Sequence, residues 1–149
     1  MTRESRMLSG ILLVVLPTVM FGGLSLLTKT TTYADNPLRQ DLWRAGHAHA
    51  GVYLVLSLVM LRYVDEADLS RSWKWLARIG APIAAILIPG AFFLSMLPPA
   101  TEPNALMNLA YVGAVLLAAS VLTLGVGLIR AAHRESDSRE VRDRSTHTG

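Results

Sequence analysis

Four stretches of this chain carry no charge at all: residues 8–28 (LSGILLVVLPTVMFGGLSLLT), 46–61 (GHAHAGVYLVLSLVML), 79–101 (IGAPIAAILIPGAFFLSMLPPAT) and 103–129 (PNALMNLAYVGAVLLAASVLTLGVGLI). The hydrocarbon core of a bilayer is crossed by about 20 mostly apolar residues in a helix. Three runs reach that length outright, and the second does so if it extends through Tyr63 and Val64. The 52% hydrophobic content of the 149 residues is therefore concentrated rather than spread. The pattern predicts an all-α protein, a four-transmembrane-helix bundle with spans at about 8–28, 46–64, 79–97 and 105–129 inside a membrane domain covering 1–130.

The first run follows Arg3 and Arg6, and Thr32-Tyr33-Ala34 loosely resembles a cleavage site. Its apolar stretch is roughly twice the 7 to 15 residues of a signal sequence, so it is expected to stay as a helix. Lys and Arg then orient the whole. Two lie ahead of the first span, four between the second and third (Arg62, Arg71, Lys74, Arg78) and five from Arg130 onward, against three (Lys29, Arg39, Arg44) on the other side. Eleven against three favours both termini in the cytoplasm and a multi-pass protein of the cell membrane.

The loops carry local signals. In DNPLRQDLWRAG, Asp35 or Asn36 can cap a helix whose first turn suits Pro37, and Leu38, Leu42 and Trp43 can rest on the lipid interface. In DEADLSRSWKWLAR, Ser70 is a cap candidate with Trp73 and Trp75 as interfacial anchors. Pro17 with Gly22-Gly23, and Pro82 with Pro89 and Gly90, predict bends in the first and third spans. Small residues let helix backbones approach where water supplies no drive for association, and GHAHAG places Gly46 and Ala50 at such a spacing. A compact bundle is expected. The segment 131–149 mixes both charge signs with few apolar residues and is expected to be a disordered cytoplasmic tail.

With zero cysteines, thiolate metal sites and cysteine nucleophiles are excluded. There is no GxSxG elbow, no HExxH helix and no phosphate-binding glycine loop, which argues against hydrolases and nucleotide enzymes. The modest +3 charge forms no nucleic-acid surface. Polar residues at membrane depth are costly and raise a functional question. They gather in the outer half, where the ligand-binding candidates are His47, His49, Arg44, Asp41, Asn108 and Tyr111. Residues two apart on a helix point about 200° away from each other, so His47 and His49 cannot hold one ion from a regular helix. Arg44, His47 and Gly51 share one face, and His49 shares another with Tyr53. The metal candidates are His47, His49, Met96, Met107 and Glu102: a copper or zinc site fits their donor types, and a haem would have His with Met as its axial pair. Plainer roles compete with these. The histidines can be held by a carbonyl or carboxylate, Asp41 and Arg44 can form an interfacial ion pair, and Glu102 can be a solvated loop charge. Met20 and Met60 read as packing, and Asn108 and Tyr111 can bond across the helices.

The strings FGGLSLL, DNPLRQDLWRAGHAHAGV, LRYVDEADLS and GAFFLSMLPP together resemble a family of small four-helix integral membrane proteins from actinobacteria, in which GHAHAG is the most recognisable motif. The resemblance spans nearly all of the chain through the fourth run. It implies a membrane location and a four-helix architecture, and it carries no activity, cofactor or site. The leading functional expectation is a non-enzymatic membrane protein whose outward His47 and His49 patch binds a ligand, a metal or a protein partner as an accessory subunit, or a second copy of itself. The alternatives are a small proton-coupled transporter, using a histidine whose ordinary pKa is about 6.5, or a haem- or copper-dependent redox protein.

Overall fold

The first two uncharged runs lie wholly inside long helices; the third outlasts its helix at Ser95, and the fourth begins ahead of the helix that opens at Asn108. The computed structural model describes residues 1–28 and 35–147; Lys29 and the Thr32-Tyr33-Ala34 string lie outside the described residues. Helix α1 is Arg3–Thr28, α2 is Pro37–Tyr63, α3 is Arg71–Ser95 and α4 is Asn108–His147, the last preceded by a 3-10 turn at Ala105–Met107. Asn36 caps α2: its side chain accepts from the Arg39 amide at 3.1 Å, with Pro37 in the first turn where its missing N–H costs nothing. Helix α3 starts at Arg71, eight residues before the third uncharged run and so including Trp73, Lys74 and Trp75; Ser70 precedes it without a side-chain cap bond. Pro17, Pro82 and Pro89 lie within unbroken helices.

Three helical segments, Arg3–Thr28, Arg71–Ser95 and Ala105–Arg139, are long and apolar enough to cross a membrane. This is a helical membrane-spanning protein, and its exposed side chains agree: Val14 is 77%, Leu27 81% and Val115 72% exposed. Helix α2 falls short on hydropathy because Arg44, His47, His49 and Arg62 interrupt its apolar residues. By length it does not fall short, since 27 residues rise about 40 Å.

Successive helices run antiparallel, so Thr2, the 64–70 turn and Arg134 share one end, called here the terminal end, and residues 35–36 and 96–107 share the other. Packing proceeds in chain order. Helix α1 lies on α2, α2 on α3 and α3 on α4, whereas α2 and α4 touch sparsely and α1 makes no comparable contact with α3 or α4. The expected compact bundle is thus an open row with α1 at its margin. Nothing in a bilayer drives α1 to bury more of its apolar surface, and Ser5, near its start, is the one buried residue described in it.

The tightest contact is between α3 and α4. A β-carbon on Gly80 would lie 1.7 Å from Ser120 Oγ and 2.9 Å from Ser120 Cβ. Ser120 Oγ donates to Leu116 O at 2.8 Å on its own helix and lies 3.3 Å from Leu76 O across the gap, so one hydroxyl serves both backbones. Below this contact Met60, Val64, Ala67, Ala77, Ala81 and Leu124 form a core toward the terminal end. The segment beyond Arg130, expected to be disordered, is helical through His147. Its charges are compatible with that, since Glu135 precedes Arg139 by one turn, and a helix already nucleated inside the membrane extends without a new nucleation cost.

Candidate functional site

The two histidines of GHAHAG part company. His47 points at α1, where a β-carbon on Gly23 would lie 2.5 Å from its Nε2, so only the absence of a side chain at Gly23 admits the ring. His49 turns the other way. Its Nδ1 lies 2.7 Å from Ala45 O, and because a carbonyl can only accept, Nδ1 carries the proton and Nε2 is the open nitrogen. The ring stands edge-on to Tyr53 at 5.3 Å and to Phe92 at 5.4 Å. Gly46 meets α3, with Phe93 3.1 Å and Phe92 3.2 Å from where its β-carbon would be. Gly51, on the His47 face of the helix, has nothing within 4 Å of where its β-carbon would be.

Each histidine lines its own cleft. The first, of about 290 Å³, lies between α1 and α2, with Val19, Gly22, Trp43, Ala50 and Phe93 around His47. Thr18 and Ser25 also line it, their hydroxyls donating to Val15 O and Phe21 O within α1. Among the described residues His47 has no hydrogen-bond partner. The second cleft, about 300 Å³, brings His49 together with Tyr53, Phe92, Met107 and Tyr111 where α2, α3 and α4 meet.

The single outward patch is therefore corrected to two separate sites on opposite faces of α2. The metal set is likewise dispersed. Met96 is fully buried at the end of α3, Glu102 is exposed in the following loop, and only Met107 shares a cleft with a histidine. Among the described residues no three His, Asp or Glu side chains converge on a common point. His133 lies at the terminal end and bonds to Ile129 O at 2.8 Å. Asp41 and Arg44 are exposed and do not pair with each other. Asn108 and Tyr111, expected to bond across the helices, make no side-chain hydrogen bond among the described residues, and Tyr111 is 70% exposed.

Two arginines carry more than their spacing suggested. Arg39 is 5% exposed; its Nε donates to Met96 O at 2.9 Å and its Nη2 to Ala100 O at 2.8 Å. It thereby satisfies carbonyls at the C-terminal end of α3, where a cation also suits the helix dipole. Asn36 Nδ2 donates to Thr101 O at 3.2 Å beside it. Together they pin the start of α2 to the α3–α4 connection and set the height of His47 and His49. At the terminal end Arg78, 6% exposed, donates from Nη2 to Asp65 Oδ1 at 2.6 Å and from Nε to Ser5 Oγ at 3.1 Å. The Thr2 amide donates to Asp65 Oδ2 at 2.6 Å, so α1 is tied to the rest through this carboxylate. Burial alone would raise the Asp65 carboxyl. The hydrogen bonds from Arg78, Thr2 and Ser5, with the guanidinium charge, outweigh it and hold the group below its ordinary 3.8. The one sequence signal for Arg78 is that it sits among Ala77, Gly80 and Ala81, on the small-residue face that meets other helices.

Compared with known proteins, the chain matches no family model, no curated protein and no solved structure.

Proposed function

We propose that this is a four-span integral membrane protein, with both termini cytoplasmic, that acts as a non-enzymatic binding protein for a lipid-soluble small molecule carrying one carbonyl or hydroxyl head. The ligand occupies the α1–α2 cleft, and His47 hydrogen-bonds its head. The carrying observation is the half-buried His47 ring, without a protein partner among the described residues, in a cleft otherwise walled mainly by apolar groups. An imidazole can donate or accept, and in surroundings of low dielectric one such bond orients a ligand strongly. His49, already bonded to Ala45 and flanked by two rings, has the structural part.

The fourth span is supported by the partners of α2 at both of its ends. It meets Ser5 of α1 and Arg78 of α3 through Asp65 just past one end, and Gly23 of α1 and Met96 of α3 near the other. A helix lying alongside two spanning neighbours over their whole length crosses the same slab. The excess of basic residues at the terminal end then favours that end inside. Single cysteines at Glu102 and Ser72, probed with an impermeant maleimide in intact cells, test this. Glu102→Cys is expected to label, and Ser72→Cys only after lysis. The reverse pattern overturns the topology.

For the ligand, solvent extracts of detergent-purified protein are compared by mass spectrometry. A small molecule near one per chain is expected in the wild type, reduced at least tenfold in His47→Ala and in Gly22→Val, which narrows the cleft. His49→Ala should retain it while melting at lower temperature. Equal retention in the His47 variant, or only bulk lipid in the wild type, rejects this reading.

A further inference from the structure

A groove between α3 and α4 at the terminal end is built differently from the histidine clefts. It measures about 270 Å³ and is lined by Leu69, Trp73, Leu122, Thr123, Val126 and Arg130. Leu122, Val126 and Arg130 follow one another at four-residue intervals, so they stack along one face of α4 over about 12 Å. The cation stands at the mouth, where the apolar run ends at Ile129, and the apolar walls lead from it toward the membrane centre. Trp73 flanks the groove at 54% exposure, with Leu122 at 68% and Val126 at 45% opening it to the bilayer.

We propose that this groove holds one anionic phospholipid of the leaflet at the terminal end, with its phosphate on Arg130 and an acyl chain along Leu122, Val126 and Leu69. Two observations select that occupant. Arg130 has no hydrogen-bond or ion-pair partner among the described residues, whereas the neighbouring Arg134 is engaged by Asp68 at 2.9 Å. The polarity gradient along the groove, charge then tryptophan then aliphatic wall, is that of a phospholipid entering a leaflet, and an indole is favoured at headgroup level.

The test uses the full chain with Trp43→Phe and Trp75→Phe, leaving Trp73 as the sole tryptophan. The protein is reconstituted in phosphatidylcholine vesicles containing a minor fraction of either brominated phosphatidylglycerol or brominated phosphatidylcholine, and quenching of Trp73 is measured. Half-maximal quenching is expected at about fivefold lower mole fraction of the anionic lipid, the factor that one basic residue near an anionic surface supplies. Arg130→Gln should abolish that preference and Arg130→Lys should keep it, and added inorganic phosphate should leave it unchanged. Equal quenching by the two lipids, or a preference that survives Arg130→Gln, overturns the proposal. Competition by inorganic phosphate also overturns it, in favour of a free-anion site. So does weak quenching by both lipids together with disulfide formation between Val126→Cys chains, which would place a second copy in the groove.

Discussion

Arg78→Ala is expected to destabilise the protein by about 3 kcal/mol, at the lower end of what breaking a buried ion pair costs, because the Asp65 carboxylate is left at 12% exposure without its guanidinium. Replacing both partners with apolar residues, Arg78→Met with Asp65→Leu, should recover much of that loss, since the penalty is the stranded charge rather than the missing attraction. Thermal unfolding in detergent checks both. The pH dependence follows from the sign of the Asp65 shift. Its carboxyl is held below 3.8 in the folded protein, so its contribution is complete above that ordinary value and is lost as pH falls through the lower folded value. Between pH 7 and 5 this group should change nothing. Below about 4 the wild type should lose stability toward that of Asp65→Asn, whose own curve lacks this component. Identical melting of the two proteins at pH 7 would show that the cluster does not hold α1.

Gly80→Ala is expected to cost about 1–3 kcal/mol, the range for forcing extra volume into a packed contact. The clash is not with a movable hydroxyl alone, because Ser120 Cβ also lies 2.9 Å from the added carbon. Turning the serine side chain therefore cannot relieve it, and α3 must move off α4. Ser120→Gly in the same chain should restore most of the stability, a coupling that separates this contact from a general intolerance of alanine. Gly51→Ala is the control. Nothing lies within 4 Å of its added carbon, so it should be neutral or slightly stabilising through helix propensity. Gly80→Ala melting like the wild type would mean that α3 and α4 pack less closely than this.

Residues far apart in the chain explain why the site was only partly legible. The divergence of His47 and His49 is written in their two-residue spacing, but what each would face is not. Gly23, which admits the His47 ring, belongs to another helix, and Gly22-Gly23 reads in sequence only as a flexible point. The same spacing rule paired Arg44 with Asp41, where both side chains turn to the exterior. Arg39 and Arg78 entered the charge count that orients the chain. Their partners are 57 and 61 residues away for Arg39, and 13 and 73 for Arg78, beyond any local pattern.

By itself the sequence determined that the chain is helical and membrane-spanning, where its apolar runs lie, and that α2 opens at Asn36 and Pro37, because these follow from backbone satisfaction in lipid and from the chemistry of one turn. Only the tertiary structure decided that the helices form an open row with α1 at its edge, that Gly23, Gly46 and Gly80 make close contacts where Gly51 makes none, and that the histidines line separate clefts. In water an apolar stripe marks the face of a helix that packs. In a bilayer lipid and neighbouring helices are equally apolar, so the pattern does not say which face meets which, and the choice falls to steric fit between small residues and to a few buried polar bonds.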